Sequence, residues 1–204
     1  MSIKEFWEDQ HTQNTRTWLT GTSLDQILKA YDLTKESLAN IKCLEIGVGL
    51  VTVTEPLSKL VATLYCTDIS DKALTKAGPY TSGAWHTQQI DQIPPVDMAI
   101  CHLVMTHCDD KECERILRSI NLLPGGKIYC QFSCLKSADA LENVSHKIRH
   151  QLIDSGMHFF RTEEEIQHLC DVAGLQIVKS KYFDPGSYHG WNGQYWQFYQ
   201  LERA

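Results

Sequence analysis

The sequence predicts an α/β fold built around a doubly wound, mostly parallel sheet. Runs rich in apolar and β-branched residues alternate with helical patterns through the middle of the chain, which is typical of parallel strands joined by crossover helices. Near the C-terminus, two such runs flank a segment of turn-forming residues, which predicts an antiparallel hairpin that closes the sheet. A chain of 204 residues is long enough to bury one core of this kind.

The boundaries of the elements follow from the same patterns. We expect parallel strands over Ile41–Ile46, Thr63–Ile69, Ala84–Gln88, Val96–His102 and Lys127–Ser133. Helices are expected over about 51–61, 71–77 and 110–122, with Pro124, Gly125 and Gly126 as the stop signal after the last one. The hairpin is predicted to pair Leu175–Phe183 with Tyr195–Glu202.

The helix before the hairpin carries clear start and stop signals. Thr162 followed by Glu165 is the pattern of a capping box, in which each residue satisfies a backbone amide of the other. Gly174 is expected to end the helix in a left-handed conformation.

Charge and hydropathy exclude several classes of partner. The net charge is −6, and the lysines and arginines are scattered without a basic run, which argues against a nucleic-acid substrate. No segment approaches the roughly 18 consecutive apolar residues that a membrane span needs. The beginning, "MSIKEFWEDQHTQNTR", is polar and acidic where a secretory signal is basic and then apolar, so we expect a soluble, cytoplasmic protein.

The eight cysteines do not form a metal-binding pattern. No C-x-x-C pair occurs, and the closest spacings are Cys130 to Cys134 and Cys108 to Cys113. Free cysteine behaves as a small apolar residue, so we expect reduced, mostly buried thiols and no metal site.

A glycine-rich turn follows the first strand in "CLEIGVGLVT". Gly47 and Gly49 can adopt positive φ and let a ligand approach the backbone, while the next helix would direct its free amides toward that ligand. A dinucleotide fingerprint would have a third glycine at position 52, but the residue there is Thr52. A turn that binds nothing is the alternative interpretation.

Two carboxylates near this turn favour a cationic nucleoside. Asp68 ends the second strand 19 residues after Gly49, where a carboxylate accepts hydrogen bonds from ribose hydroxyls, although it could also serve as an N-cap. Glu45 lies at the end of a central strand, where a buried carboxylate needs a partner. A ligand with an ammonium group fits this pair better than a pyrophosphate does.

In order and spacing, five segments resemble the class I S-adenosylmethionine-dependent methyltransferases. They are "CLEIGVGLVT", "TLYCTDIS", "IPPVDMAICHLVMTHC", "LLPGGKIY" and "FFRTEEEIQHLCDVAGLQIV". The resemblance covers residues 41 to 183 and implies a Rossmann-like methyltransferase fold. Its sheet would have seven strands in the order 3-2-1-4-5-7-6, with strand 7 antiparallel, which agrees with the hairpin predicted from the turn residues.

The resemblance also implies a set of S-adenosyl-L-methionine-binding residues. It assigns Glu45 to the methionine ammonium and Asp68 to the ribose, while Ile69 would pack on the adenine. Gln89 falls where the family holds the adenine amine, with Asp91 as the alternative. The other implied cofactor-binding positions are Gly47, Val48, Gly49, Ile90 and His102.

His107, in "VMTHC", falls where many members of the family carry a histidine near the transferred methyl group. It is therefore the candidate catalytic residue. A histidine can act as a general base near neutral pH, which matters only if the acceptor is a protonated hydroxyl or amine. A purely structural role for His107 and His102 is the alternative.

Recognition of the methyl acceptor is expected outside the resembling segments. The candidates are the N-terminal segment with Trp7, His11, Trp18 and "LTGTS", the stretch Leu135 to Met157, and the loop with Tyr188, His189, Trp191 and Asn192. The tryptophans could instead bury the N-terminal helices on the sheet.

These observations predict one domain over residues 1–204. It would comprise a helical cap (1–38), a cofactor-binding half (41–134) and a substrate-side half with the hairpin (135–204). The predicted activity is methyl transfer to a hydroxyl, amine or similar nucleophile of a small molecule. Two alternatives stay open: an NAD-dependent oxidoreductase, and a non-catalytic binding module on the same fold.

Overall fold

The computed structural model describes residues 2–13, 23–135, 159–183 and 194–204. In these ranges the α-helices are α1 (Ile3–Gln13), α2 (Leu24–Ala30), α3 (Thr54–Ser58), α4 (Asp71–Ala77), α5 (Asp110–Ser119) and α6 (Glu163–Val172). The strands are β1 (Lys42–Ile46), β2 (Thr63–Asp68), β3 (Gly83–His86), β4 (Val96–Cys101), β5 (Leu122–Leu135), β6 (Phe160–Arg161), β7 (Leu175–Phe183) and β8 (Gln194–Arg203). Short 3-10 helices cover Glu36–Leu38, Gly78–Tyr80, Thr87–Gln92 and Met105–His107.

The strands form one mixed sheet in the order β3-β2-β1-β4-β5-β8-β7. The strands from β1 to β5 pair in parallel, and β8 is antiparallel to both β5 and β7. The predicted α/β sheet and its closing hairpin are therefore confirmed. The short strand β6, which the sequence did not predict, pairs in parallel with the end of β5.

Two predicted helices are shorter in the structure. The helix expected over 51–61 is only α3, which has five residues, because Leu50 to Val53 form turns and Val51 is left-handed. The helix expected over 110–122 ends at Ser119, because Ile120 is extended and Leu122 already pairs with Val96.

The residues Pro124, Gly125 and Gly126, predicted as the stop signal of that helix, lie inside β5. The register between β4 and β5 shifts between Val96 and Met98, and this irregularity accommodates Pro124, Gly125 and Gly126. A Cβ on Gly126 would lie 2.9 Å from the carbonyl oxygen of Leu123, so close packing of the backbone requires glycine there.

The cap signals of α6 are confirmed. The Thr162 hydroxyl accepts a hydrogen bond from the Glu165 amide at 3.3 Å, and the Glu165 carboxylate accepts one from the Thr162 amide at 2.7 Å. Gly174 follows the helix with a φ of 68°. This geometry satisfies amides at the start of the helix and reverses the chain into β7.

The sheet separates two apolar clusters. One cluster packs α5 and α6 against alternate residues of β1, β4 and β5, and it includes Ile116, Leu117, Phe132 and Ile166. The other packs α2, α3 and α4 against the opposite face, and it includes Ile27, Leu57, Ala73 and Tyr129. No residue of α1 belongs to either cluster, so α1 lies outside the apolar core that the structure describes.

Candidate cofactor site

The predicted site residues meet in one row across the carboxyl ends of the strands. Asp68 on β2 pairs with His86 on β3, and Gln131 on β5 pairs with Phe198 on β8. Between them, Gly47 and His102 come one residue after the paired Ile46 and Cys101 of β1 and β4. Gly47 lies at the centre of this row, between Asp68 and His102, and the side chain of Val104 packs where a Cβ on Gly47 would be.

The glycine turn after β1 has the backbone geometry that the sequence predicts. Gly47 has a φ of 79° and Gly49 a φ of 51°, both in the left-handed region where glycine is favoured. A Cβ on Gly47 would collide with Cγ2 of Val104. The amide of Gly47 donates a hydrogen bond of 2.7 Å to the Thr67 carbonyl, which fixes the turn against β2.

Asp68 is bound to this turn by its carboxylate. Its Oδ2 accepts a hydrogen bond from the Gly49 amide at 3.1 Å, and its Oδ1 accepts one from the Ser70 amide at 2.9 Å. The residue is 5 % exposed, and this burial raises its pKa, while the two amides oppose the shift. Each carboxylate oxygen can accept a second hydrogen bond, so the group is still able to bind hydroxyl donors.

Glu45 is a second buried carboxyl group on the same face of the sheet. Burial raises its pKa to about 8, the Thr54 hydroxyl opposes this shift, and the charge of Asp68 adds to it. Glu45 Oε2 and Thr54 Oγ1 are both buried, and neither makes a hydrogen bond to the described residues. A buried acid with one unpartnered oxygen favours a cationic ligand, which would supply the missing partner.

His102 lies one residue after β4, next to Gln131 in the row. Its ring stacks on Phe198 with centroids 6.0 Å apart and an angle of 13° between the planes. Burial lowers its pKa to about 3, so the imidazole is neutral near pH 7. Its Nδ1 and both amide atoms of Gln131 are buried without a hydrogen-bond partner among the described residues.

His107 lies in the 3-10 turn Met105–His107, which follows β4. Arg161 holds this turn: its guanidinium donates hydrogen bonds to the carbonyls of Met105 at 3.0 Å and Cys108 at 2.6 Å, and it pairs with Asp110 at 2.9 Å. The Trp7 ring of α1 meets the His107 ring edge to face, with 4.9 Å between centroids. Arg161 of β6 thus holds the backbone on both sides of the candidate catalytic residue, and Trp7 of α1 packs on its ring.

Backbone strain concentrates beside the row. In the described ranges, four non-glycine residues have positive φ, and two of them, Asp32 and Asn40, are types that tolerate this conformation. The other two are Val51, with a φ of 58°, and Leu103, with a φ of 59°. They follow the glycine turn and His102 respectively, and such conformations cost on the order of 1–3 kcal/mol each, which is typical of ligand sites.

The remaining predicted cofactor residues lie around the row, with one exception. Ile69 is half-buried directly after Asp68, Val48 is buried within the turn, and Gln89 is exposed in the 3-10 helix Thr87–Gln92. The exception is Ile90, which is fully buried in the α5–α6 cluster. Its side chain packs in the core, and the cofactor contact of Ile90 stays a prediction. Asp91, the alternative to Gln89, is exposed.

Several candidate acceptor residues lie outside the described residues. These are Trp18, Tyr188, His189, Trp191, Asn192 and nearly all of Leu135 to Met157.

All eight cysteines are described: they are free thiols, and each is buried except the half-buried Cys108. Within the described ranges no three His, Cys, Asp or Glu side chains form a metal-binding group. Among those same residues, none of the helices has the length and apolar character that a bilayer crossing requires.

Sequence reasoning missed two polar members of the row, His86 and Gln131. His86 Nε2 is buried without a hydrogen-bond partner in the described part of the chain, as are the Gln131 amide atoms. The sequence feature that could have identified them is a polar residue in an otherwise apolar strand, two residues from a position that faces the same side of the sheet. For Gln131 that strand reads "KIYCQFS", and the expected period of two places it on the face of Tyr129.

Residues 44–130 match the family model described as a methyltransferase domain. This segment is therefore similar to methyltransferase domains. It contains Glu45, Gly47, Asp68, His102 and His107, and the resemblance drawn from the sequence is confirmed. A search of curated protein sequences gives no match to the chain.

The fold of the chain recurs in solved structures. Magnesium protoporphyrin IX methyltransferase (ChlM) from Synechocystis PCC 6803, with bound SAM, has a TM-score of 0.64 at 14% identity, over 99% of this chain and 95% of that chain. The DhpI complex with SAH has a TM-score of 0.61 at 15% identity, over 98% and 94% of the two chains. CalO1, a methyltransferase in calicheamicin biosynthesis in its SAH-bound form, has a TM-score of 0.62 at 13% identity, over 91% and 54%. At these identities the likeness concerns the fold alone.

Proposed function

We propose that the chain transfers the methyl group of S-adenosylmethionine to a hydroxyl, amine or similar nucleophile of a small molecule. The observation that carries this proposal is the pair of buried carboxyl groups, Glu45 and Asp68, beside a glycine turn with positive φ. Bound S-adenosylmethionine supplies an activated methyl group on a positively charged sulfur. Two of the similar structures, ChlM and CalO1, have names that state small-molecule chemistry, which supports the same class of acceptor.

Charge supports a cationic cofactor rather than a phosphate-bearing one. Glu45 would hold the ammonium of the methionine part, because its unpartnered Oε2 is a strong acceptor once it is ionised. Asp68 would accept hydrogen bonds from the ribose hydroxyls with the lone pairs that Gly49 and Ser70 leave free. The positive φ of Gly47 and Gly49 lets the backbone approach the ligand.

The same geometry disfavours an NAD-dependent oxidoreductase. A pyrophosphate is stabilised by the N-terminus of a long helix and by a third glycine. Here the helix after the turn has five residues and begins at Thr54, and position 52 holds a threonine. An anionic ligand would also lie beside two buried carboxyl groups, and like charges repel most strongly in such surroundings.

His102 and His107 would serve the methyl-transfer side of the site. Methyl transfer depends chiefly on alignment and on exclusion of water, which neutral His102 and its Phe198 partner can provide by packing. His107 would remove the proton if the acceptor is a hydroxyl or amine. Arg161 would keep His107 in place through the carbonyls that it binds on both sides of that residue.

Calorimetric titration with S-adenosylhomocysteine tests the cofactor site. We expect wild-type binding with release of a proton near pH 7, because an ammonium ligand ionises a Glu45 whose pKa is about 8. Titrations in buffers of different ionisation enthalpy measure this release. Glu45→Gln should abolish the release and weaken binding about tenfold or more.

The matched control is Asp97→Asn, since Asp97 accepts a hydrogen bond from the Lys42 amide at the opposite end of the sheet. Its titration should resemble that of the wild type. Absence of any binding at millimolar S-adenosylhomocysteine would refute the proposed cofactor. Binding without turnover over a broad panel of hydroxyl and amine acceptors would instead favour the non-catalytic binding module.

A further inference from the structure

Helix α1 is attached to the cofactor side of the sheet through α4. Lys4 pairs with Asp71 at 2.8 Å, and the Glu8 carboxylate accepts a hydrogen bond of 2.7 Å from the Asp71 amide, at the first residue of α4. Lys76 donates to the His11 carbonyl at 3.1 Å. Because α4 follows directly after Asp68, these contacts place α1 across the carboxyl end of β2.

One side of α1 carries aromatic rings that reach both ends of the proposed site. Trp7 stacks on His11, with 6.0 Å between centroids and 26° between planes, and it also meets His107 edge to face and Phe6 at 5.2 Å between centroids. Rings of this kind prefer such stacked and edge-on arrangements. The helix therefore connects the glycine turn with the candidate catalytic residue.

His11 lies directly against the glycine turn. Its Cε1 is 3.8 Å from the position that a Cβ on Gly49 would occupy. Both ring nitrogens are bonded to Cε1, so the polar edge of the imidazole faces the turn. The residue is only 4 % exposed, and its Nδ1 is buried without a hydrogen-bond partner among the described residues.

His11 is close enough to Asp68 for the charges of the two side chains to influence each other. Burial lowers the pKa of His11, and the charges of Asp68 and Glu8 oppose this shift while those of Lys76 and Lys72 add to it. In return, the charge of His11 is among the influences that lower the pKa of Asp68. A buried imidazole nitrogen without a partner, such as Nδ1 of His11, costs free energy unless a ligand supplies the missing hydrogen bond.

We propose that His11 is a further cofactor-binding residue, which hydrogen-bonds the nucleoside part of the cofactor opposite Asp68, with α1 completing the site. This inference rests on the proposed function, because it assigns the ligand of the same site. It changes the assignment that the sequence suggested for His11, from recognition of the acceptor to recognition of the sugar side of the cofactor. The chemical group that it fits is a hydroxyl or ring nitrogen of a nucleoside.

The test compares two probes, S-adenosylhomocysteine and 5′-methylthioadenosine, which lacks the amino-acid part. His11→Leu should weaken the binding of both probes about tenfold, as expected for one lost hydrogen bond in a buried site. His11→Gln, which keeps a donor and an acceptor, should restore most of the loss. Glu45→Gln should weaken the binding of S-adenosylhomocysteine and leave 5′-methylthioadenosine within about twofold.

His168→Leu is the matched control, because His168 is an exposed histidine of α6, and α6 packs on the face of the sheet opposite the site. It should bind both probes like the wild type. The variants of His11 should fold, since α1 lies outside both apolar clusters. Thermal unfolding without ligand checks this, and His11→Ala replaces His11→Leu if the latter shows no cooperative transition.

The outcomes separate the two proposals. If wild-type protein binds neither probe, the proposed function fails. If it binds both and His11→Leu stays within twofold for both, only the role of His11 is refuted. A loss confined to S-adenosylhomocysteine also refutes the inference, because it would place His11 at the amino-acid part of the ligand.

Discussion

The two faces of the sheet are built from the same strands but differ in polarity. The face under α5 and α6 is closed by apolar residues, many of them with no exposed surface, such as Ile116, Leu117 and Phe132. The opposite face is equally apolar at its amino end but carries Glu45, Asp68, His102 and Gln131 toward its carboxyl end. The first face contributes stability, whereas the second retains polar atoms of Glu45, His102 and Gln131 that have no hydrogen-bond partner among the described residues.

The largest effect is expected on the closed face. Leu117→Ala should lower the free energy of unfolding by about 4 kcal/mol, because it leaves a cavity under α5. Urea unfolding measures this loss. Leu117→Ala protein that remains folded should bind S-adenosylhomocysteine as the wild type does. A loss of unfolding free energy below about 1 kcal/mol would contradict the view that this face holds the fold together.

On the polar face, the clearest signal is the pH dependence of stability. Glu45 has a pKa of about 8 in the folded chain and an ordinary value of 4.5, so the folded state binds more protons between these values. Its contribution is complete below pH 4.5 and is lost as the pH rises through 8. From pH 5.5 to 8.5 the unliganded wild type should therefore lose about 3 kcal/mol that Glu45→Gln retains.

Thermal unfolding of both proteins over this pH range measures the difference. Asp68 has a raised pKa as well and is present in both proteins, so the difference between the two profiles measures Glu45 together with its charge interaction with Asp68. Parallel pH profiles for the two proteins would show that Glu45 is not a buried neutral acid.

A smaller effect of opposite sign is expected from Gln131→Leu. This change removes an amide that is fully buried and has no partner among the described residues, so the unliganded protein should gain about 1–2 kcal/mol of stability. Chemical unfolding measures the gain, with Leu117→Ala as the reference of opposite sign. A loss of stability would show that the Gln131 amide has a structural partner.

The sequence was most informative where the signal is local. The glycine turn at Gly47, the capping box at Thr162 and the stop at Gly174 each depend on neighbours within a few residues, and all three are present in the structure. The predicted helix lengths were less accurate. The strained turn at Val51 makes α3 begin later than predicted, and the pairing of Leu122 with Val96 makes α5 end earlier. The burial of Ile90 could not be predicted locally, because it depends on α5, which packs from elsewhere in the chain.

What the sequence by itself determined is the alternation of strands and helices, the glycine turn and the two acids beside it, since short-range periodicity and turn chemistry encode these features. Tertiary structure alone decided which residues share the row. The register between strands aligns Asp68, Gly47, His102 and Gln131. A salt bridge and hydrogen bonds to α4 bring His11 against Gly49. Such contacts join residues that are far apart in the chain, and their geometry is fixed only when the whole sheet and its helices have packed together.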